Sequence, residues 1–399
     1  MKKKRLFFLR ATAIMVLALV ALLDIAFLLQ KNRATSPLEN RNLQQRPALT
    51  LSGLLSGRFE SRFDSYVADQ FPFRDRWIAL KSTLDRLAGQ TKSNGVFLGK
   101  DGHLIQDFAA PSEENYRRTM DALAGFLNRH DDLSACVMVV PTAVTVLADA
   151  LPALADAGDE GGYLDRLAED LSETHAAFID LRGAFARAKP TTRLYYRTDH
   201  HWTSDAAQLA YLELARAAGL PENTDAFQRR LLSGSFQGTL SAVSGFRMTD
   251  SEDLWAYVPG DGAPQTVVTW VNENRRSASL FREEWLDTRD QYAVFLGGNF
   301  PEVRIETTLD NGRTLLVLKD SYANCLIPFL TAAYQKIVVV DPRYFTGDIE
   351  VLMGAEGVNE ILVLYNAETL AEDTALRGDV GETREQGTGN REQEKPRAK

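Results

Sequence analysis

Two short segments, far apart in the chain, carry the side chains best suited to nucleophilic chemistry. The first runs Arg197-Thr-Asp-His-His-Trp-Thr203, and the second is an apolar stretch at 314–320 that leads into Ser321. A serine hydroxyl is a weak nucleophile that needs a neighbouring base, and a histidine base needs an acid that orients it. Together the two segments therefore contain the parts of a Ser-His-Asp site.

Backbone alternation assigns the roles within the first segment. In an extended stretch, residues i and i+2 point to the same side, so Asp199 and His201 share a face while His200 points away. Asp199 then orients His201, His201 acts as the base, and Ser321 is the nucleophile. His200 receives no catalytic role.

Further candidate residues lie beside these three. Ser321 begins a predicted helix, whose backbone N–H groups favour a developing oxyanion. Asn299 follows two glycines at the end of another predicted strand and supplies an amide donor. Arg197 and Tyr322, which flank the acid–base pair and the serine, are candidate oxyanion or substrate contacts.

Each of these signals has an ordinary structural explanation when it stands alone. An Asp-x-His pair is often structural, a residue at a helix start is often a cap, and Gly-Gly-Asn is typical of a turn. Three such signals at strand ends of one predicted sheet favour a catalytic site. Zinc binding by Asp199, His200 and His201 is a weaker alternative, because the sequence has no His-Glu-x-x-His motif. No metal or cofactor is expected.

The amino terminus is typical of a membrane anchor. Five basic residues precede an apolar run from Ala11 to Leu29, about the ~20 residues that a helix needs to cross a bilayer. Few basic residues follow, so the positive-inside rule predicts a cytoplasmic amino terminus and an extracytoplasmic body. We expect a single-pass signal anchor in the cell membrane at residues 1–30. A cleaved signal peptide is the alternative.

The remaining composition is that of a globular protein. Of the 399 residues 45% are hydrophobic, enough for a large core, and the net charge of −9 argues against a nucleic-acid partner. The two cysteines do not make a disulfide framework.

The order of elements predicts an α/β fold. Apolar runs at 135–141, 292–299, 314–320, 336–341 and 360–365 indicate buried strands, with helices between them. Repeated β-α units imply a parallel sheet with helices on both faces. Residues 226–290 interrupt this alternation and are predicted to form a small β-rich insertion. We expect a stalk at 31–57, one domain at 58–375 that contains the insertion, and a disordered tail at 376–399.

The chain resembles the DHHW family of bacterial cell-envelope proteins, which is named for the tetrapeptide Asp199-His200-His201-Trp202. It also resembles the SGNH-hydrolase-like proteins of alginate O-acetylation. The likeness covers most of residues 38–370. Its segments are Glu39-Asn-Arg41 with Arg46-Pro47, Phe71-Pro-Phe-Arg-Asp75, Val96 to Leu104, Arg197 to Thr203, Phe295-Leu-Gly-Gly-Asn299, Lys319 to Asn324 and Asp341-Pro-Arg-Tyr344.

The resemblance implies an SGNH-like, flavodoxin-like fold and an acyl-transfer reaction. A membrane-anchored, extracytoplasmic protein of this kind O-acetylates a cell-envelope or secreted polysaccharide, and a polytopic membrane protein donates the acyl group. The residues matching the triad are Asp199, His201 and Ser321, in an order permuted relative to ordinary SGNH esterases. Two alternatives stay open: a carbohydrate esterase or deacetylase with the same triad, and a non-catalytic envelope scaffold or glycan-binding protein.

Overall fold

The computed structural model describes residues 2–36, 41–222, 224–246 and 251–381, and these form two compact units. The first comprises residues 2–90 with 245 and 246, and the second comprises 91–244 with 251–381. The helices between residues 58 and 87 belong to the first unit, so the predicted domain boundary at 58 lies too early in the chain. One reason is local packing, since the ring of Tyr66 lies edge-on to Phe27 of the amino-terminal helix, with ring centroids 5.6 Å apart.

The first unit is mainly helical. Its helices are α1 Lys2–Leu29, α2 Leu51–Leu55, α3 Arg58–Asp69 and α4 Arg74–Leu87, and its strands β1 Thr35–Ser36 and β2 Arg41–Asn42 pair antiparallel. Within α1, Phe7–Leu29 has a mean hydropathy of 2.7, which makes it long and apolar enough to cross a membrane. Pro72 separates α3 from α4, because proline cannot continue a helix. Helix α2 falls within the predicted stalk.

The second unit contains the remaining elements. Its strands are β3 Lys92–Ser93, β4 Val96–Leu98, β5 Leu104–Gln106, β6 Ser134–Val140, β7 Ala177–Ile179, β8 Phe227–Phe236, β9 Glu252–Pro259, β10 Thr266–Trp270, β11 Arg275–Ser277, β12 Glu302–Thr307, β13 Thr314–Lys319, β14 Lys336–Val340 and β15 Glu360–Asn366. Its α-helices are α5 Glu113–Arg129, α6 Ala143–Val146, α7 Glu160–Leu171, α8 Arg182–Ala188, α9 Ser204–Ala218, α10 Thr239–Val243, α11 Ile327–Leu330, α12 Ile349–Glu356, α13 Ala367–Glu372 and α14 Leu376–Val380. Short 3₁₀ helices span Lys100–Gly102, Ala148–Ala150, Val271–Glu273, Glu283–Asp287, Gln291–Val294 and Ser321–Cys325.

An eight-stranded sheet forms the centre of this unit, in the order β11-β10-β12-β14-β13-β15-β6-β7. The five strands from β14 to β7 are parallel, and β12, β10 and β11 add to one edge in antiparallel pairs. Along the chain, successive parallel strands are added toward both edges of the sheet. Crossover connections between parallel strands are right-handed, so connections that run toward opposite edges place their helices on opposite faces of the sheet. The α/β architecture is therefore as predicted, except that one edge of the sheet is antiparallel.

The parallel strands are buried along almost their whole length. In β6, β13 and β15 every residue after the first is buried, which is typical of strands covered on both faces. Strand β13 lies in the interior of the sheet and ends at Lys319, two residues before Ser321. Ligand sites of open α/β sheets form at the carboxyl ends of such strands.

Residues 226–290 are only partly an insertion. Strands β8 and β9 form a separate antiparallel ribbon, which agrees with the predicted β-rich excursion. Strands β10 and β11, however, belong to the central sheet, because β10 pairs with β12 from Thr266 to Trp270. The boundary was missed because an antiparallel edge strand does not continue the β-α alternation on which the prediction depended.

Two other predictions differ from the structure. The apolar run at 292–299 is not a strand: it begins in the 3₁₀ helix Gln291–Val294 and continues through Leu296, Gly297 and Gly298, all of which have positive φ. Helix α14 lies inside the predicted disordered tail, because Leu376 and Val380, one helical turn apart, are both buried. The rest of that tail, 382–399, lies outside the described residues, as do Glu39 and Asn40 of the family segments.

Candidate active site

A tight antiparallel turn carries the predicted acid and histidine. Tyr195 pairs with Trp202 across the turn, and the Tyr196 N–H donates to the His201 carbonyl at 3.3 Å. Trp202 is fully buried, and its indole N–H donates to the Tyr322 carbonyl at 2.9 Å. This bond joins the turn to the segment that contains Ser321.

A buried carboxylate fixes the start of the turn. The oxygens of Glu252, on strand β9, accept from the N–H groups of Arg197 and Thr198, both at 2.9 Å, and from the Thr198 hydroxyl at 2.7 Å. Removal of such an acceptor would leave three buried donors without a partner, which is costly. Glu252 was not among the sequence candidates, because nothing in its local sequence marks a carboxylate 54 residues beyond Thr198 as part of the turn.

Asp199 is buried and accepts four hydrogen bonds. Its Oδ1 accepts from the His201 backbone N–H at 2.9 Å and from the ring Nδ1 at 2.5 Å, while its Oδ2 accepts from Thr239 N–H at 2.8 Å and Thr239 Oγ1 at 3.3 Å. Burial opposes ionisation of this carboxyl, but interaction with His201 and His200 and the bonds from His201 outweigh it. The pKa of Asp199 is therefore held well below its usual range.

His201 bridges Asp199 and Ser321. Its Nδ1 faces Asp199, and its Nε2 lies 2.8 Å from the Ser321 hydroxyl oxygen. Both contacts expected from the sequence are thus present. Because Nδ1–H donates to a carboxylate, Nε2 is left as the acceptor that a serine hydroxyl needs. Ser321 itself is partly exposed rather than buried.

An aromatic ring holds the histidine from the side. The ring of Tyr292 stacks on His201 with centroids 3.7 Å apart and planes 12° from parallel. Tyr292 is buried, and its ring also packs against Phe295. The sequence reasoning missed Tyr292, because it treated the whole run at 292–299 as a strand.

The segment after β13 is capped by the residue before the serine. The Asp320 side chain accepts from the Tyr322 N–H at 2.9 Å and from the Asn366 N–H at 2.9 Å. Asp320 is fully buried, and burial raises the pKa of its carboxyl. This cap joins the end of β13 to the end of β15 and fixes the position of Ser321.

Tyr322 does not take the role proposed for it from the sequence. It is buried, its hydroxyl donates to the His200 carbonyl, and its backbone N–H is bound to Asp320. Both groups are therefore occupied within the protein. Tyr322 therefore stabilises the turn through its bond to His200, and its hydroxyl and N–H do not offer a hydrogen-bond donor to substrate.

Asn299 has an amide held in one orientation. Its Oδ1 accepts from the Lys319 ammonium at 2.8 Å and from Asn324 Nδ2 at 3.3 Å. An ammonium only donates, so the atom facing it must be the oxygen, and the Nδ2 group points elsewhere. Within the described residues, no hydrogen bond involves that Nδ2. Lys319 is buried and lies 3.4 Å from Asp341, whose other partner is Arg343 at 2.6 Å.

The remaining two candidates differ in position. His200 does not point away from the cluster as predicted: its ring centroid lies 3.9 Å from that of His201, and its Nδ1 lies 2.9 Å from Thr239 Oγ1. Burial and the neighbouring His201 lower the pKa of His200 to about 4, although about a third of its side chain, 32%, is exposed. The guanidinium of Arg197 has no hydrogen bond to Ser321 or His201 in the described part of the chain.

Asp199, His200 and His201 also have potential metal-ligand atoms within 4.8 Å of one another. Both ring nitrogens of His201, however, already serve in the contacts to Asp199 and Ser321. The geometry therefore suits proton transfer along this chain better than coordination of an ion.

A glycine permits the close approach that positions Asp199. A Cβ at Gly238 would lie 2.1 Å from the Asp199 Cβ, so we expect Gly238→Ala to displace the carboxylate. The overlap should lower the free energy of unfolding by about 1–3 kcal/mol. A misplaced acid should also reduce turnover of an acetyl ester about 100-fold. Thermal unfolding and ester hydrolysis measure the two effects.

Gly354 provides the matched control, because a Cβ there meets no atom within 4 Å. Gly354→Ala in α12 should leave turnover unchanged and raise stability by at most about 1 kcal/mol. Normal turnover in Gly238→Ala would contradict the assigned approach of the Gly238 backbone to Asp199.

Comparison with known proteins identifies related sequences and folds. A family described as "SGNH hydrolase-like domain, acetyltransferase AlgX" matches residues 96–296. A probable alginate O-acetylase AlgJ of Pseudomonas aeruginosa is 26% identical over 218 residues, which is 52% of this chain and 52% of that protein. The chain thus spans about half the length of the curated relatives it matches.

Solved structures share the fold. A DHHW family protein from Eubacterium siraeum aligns with a TM-score of 0.63 and 23% identity over 72% of this chain and 96% of that chain. Bacillus cereus PatB1, solved with a sulfonyl adduct, aligns with a TM-score of 0.60 and 19% identity over 71% and 97% of the two chains.

Proposed function

Because the chain belongs to the family of SGNH hydrolase-like domains typified by the acetyltransferase AlgX, we propose that it transfers acetyl groups to polysaccharide hydroxyls. The observation that carries this proposal is the continuous hydrogen-bond chain from Asp199 through His201 to Ser321. Such a chain activates a serine for attack on an ester.

The proposed reaction has two halves. Ser321 Oγ attacks the acyl carbonyl of the donor while His201 Nε2 takes its proton, and the tetrahedral intermediate collapses as the leaving group receives that proton. The acetyl group is then esterified to Ser321. A polysaccharide hydroxyl next gives its proton to His201 and attacks this ester, which forms the acetylated glycan and restores the Ser321 hydroxyl.

Two hydrogen-bond donors are suited to stabilise the negatively charged oxygen that develops in each half of the reaction. Asn299 offers its Nδ2 group, since Lys319 and Asn324 hold the amide by its oxygen. The Ser321 N–H has no hydrogen bond within the described residues and begins the 3₁₀ helix. Fixed donors of this kind are worth about 100- to 1000-fold each in kcat.

The acceptor is tested directly by an assay of transfer. The full-length protein is incubated in a detergent without a sugar headgroup, with a chromogenic acetyl ester and a polysaccharide. Release of chromophore with acetyl groups appearing on the glycan supports transfer. Chromophore release with free acetate alone would identify an esterase instead, and no release at all would favour a scaffold or glycan-binding protein.

The single-pass anchor and its orientation are part of the proposal. Basic residues at the start of α1 precede its apolar run from Ala11 to Leu29, which favours a cytoplasmic amino terminus. A single span cannot carry acyl groups across the bilayer, so a polytopic membrane protein is the proposed donor. A phosphatase reporter fused after Lys399 should be active outside the cytoplasm, and the full-length chain should stay in the membrane fraction after alkaline extraction. Recovery of a shorter, soluble chain would show that the apolar run is a cleaved signal.

A further inference from the structure

A pocket adjoins the turn that carries Asp199 and His201. Its volume is about 570 Å³, and Tyr196 and Thr203 are part of its wall. Tyr195 pairs with Trp202, so Tyr196 lies opposite His201 and Leu194 opposite Thr203, as the hydrogen bonds between these pairs show. Alternation then places the side chains of Tyr196, His201 and Thr203 on one face.

The opposite wall of the pocket is an aromatic strand surface. Asp253, Trp255 and Tyr257 alternate along β9 and all line the pocket. Trp255 and Tyr257 are half-buried, and their Cα atoms, two residues apart on a strand, are separated by about 6.6 Å. Flat aromatic surfaces beside hydrogen-bonding groups suit pyranose rings, which have apolar faces and polar edges.

The charged groups of the pocket are largely neutralised by one another. Arg229 forms two hydrogen bonds to Asp205, at 2.8 and 2.9 Å, and its guanidinium lies 4.1 Å from the Trp255 ring centroid. Arg193 is 3.7 Å from the buried Glu252. Both cations thus have carboxylate partners, while the exposed Asp253 has no ion-pair partner in the part of the chain that the structure describes.

This charge pattern discriminates between classes of glycan. A polyuronate brings a carboxylate on every sugar unit, and here it would meet an unpaired acid and no unpaired cation. The hydroxyls of an uncharged sugar, by contrast, can donate to Asp253 and Asp205 and accept from Arg229.

We propose that the pocket formed by Tyr196, Asp205, Arg229, Asp253, Trp255 and Tyr257 binds the acceptor glycan, and that this glycan is uncharged. The site rests on the proposed function in one respect, since it is assigned to the acceptor of the acetyl group. It goes beyond that function in naming where the glycan binds and which chemistry selects it.

The test measures binding apart from turnover. Full-length protein carrying Ser321→Ala, in lauryldimethylamine oxide, is titrated by calorimetry with four hexasaccharides: cellohexaose, mannohexaose, chitohexaose and the anionic hexamannuronate. At least one neutral hexasaccharide should bind, and hexamannuronate should bind at least tenfold more weakly. Adding Trp255→Ala should weaken the neutral ligand about tenfold or more. Adding Trp77→Ala, which removes an exposed tryptophan from α4, should not change binding.

The outcomes separate the two proposals. Absence of binding by every neutral hexasaccharide, or unchanged binding in Trp255→Ala, would overturn the glycan site. Tighter binding of hexamannuronate would overturn the uncharged acceptor. Acetyl ester hydrolysis by the protein with Ser321 intact needs no glycan, so its failure would remove the proposed chemistry while a measured Trp255-dependent affinity would keep the glycan site.

Discussion

Ser321→Ala is expected to abolish both acetyl ester hydrolysis and acetyl transfer to a glycan, with kcat reduced by about 10⁴-fold or more. The Ser321 hydroxyl is hydrogen-bonded to His201 Nε2, and it carries the acetyl group in the proposed reaction. Its loss removes the covalent intermediate rather than weakening one contact. Initial rates with a chromogenic acetyl ester give the measurement, and mass spectrometry of the intact protein should detect an acetylated chain only when Ser321 is present.

The loss of activity in Ser321→Ala can be assigned to the chemical step only if the substitution leaves the stability of the protein unchanged. Ser321 is partly exposed, and its hydroxyl bonds only to His201 in the described residues, so Ser321→Ala should shift the unfolding free energy by less than about 1 kcal/mol. Ser279→Ala is a suitable comparison, because within the described residues the Ser279 hydroxyl bonds only to the backbone of Phe281. Full activity of Ser321→Ala would remove the nucleophile assignment and leave the scaffold hypothesis standing.

The sequence was sufficient for the parallel strands of the fold. The runs at 135–141, 314–320, 336–341 and 360–365 correspond to β6, β13, β14 and β15, because continuous apolar stretches of that length have few other solutions. The antiparallel edge was not predicted. Strands β10 and β12 alternate buried residues with more exposed ones, and β11 has no buried residue, so none of them forms a continuous buried run. Their place in the sheet depends on pairing partners distant in sequence.

The candidate site was predictable where its residues follow strand ends or alternate along a loop. Asp199 and His201 alternate along a loop, Ser321 follows a strand end, and the contacts among the three are present. The residues that hold these three in place were not predictable. Tyr292 stacks on His201 from an irregular segment, and Gly238 approaches Asp199 through a tertiary contact that leaves no local pattern in the sequence.

The burial of Lys319 could also not be predicted from the sequence. In sequence it is a charged residue at the end of an apolar strand, where exposure is the ordinary expectation. In the structure it is buried and bonded to Asn299, and burial lowers the pKa of its ammonium. The contact from Lys319 explains why the Asn299 amide has a single orientation. Residue spacing in the sequence gives no indication of this contact.

Asp199→Asn is expected to reduce kcat about 10³- to 10⁴-fold while leaving the fold intact. The carboxylate accepts four bonds, two on each oxygen, and an amide has only one oxygen to offer. If that oxygen faces His201, the amide NH₂ opposes the Thr239 N–H. If it faces Thr239 instead, the NH₂ donates to Nδ1, and the proton of His201 moves to Nε2, which then cannot accept from Ser321.

Either orientation of the introduced amide disrupts the hydrogen-bond chain through His201 to Ser321. The second orientation, in which the amide donates to Nδ1, also changes the tautomer of His201. A histidine locked with its proton on Nε2 should show the changed tautomer in nitrogen chemical shifts of the ring, alongside the loss of turnover. Asp348→Asn is the matched control: Asp348 caps α12 by accepting from Glu350 and Val351, and asparagine caps a helix about equally well. Turnover within about twofold of normal in Asp199→Asn would show that His201 does not depend on this acid, and an equal loss in His200→Ala and His201→Ala would leave the identity of the base to be reassigned.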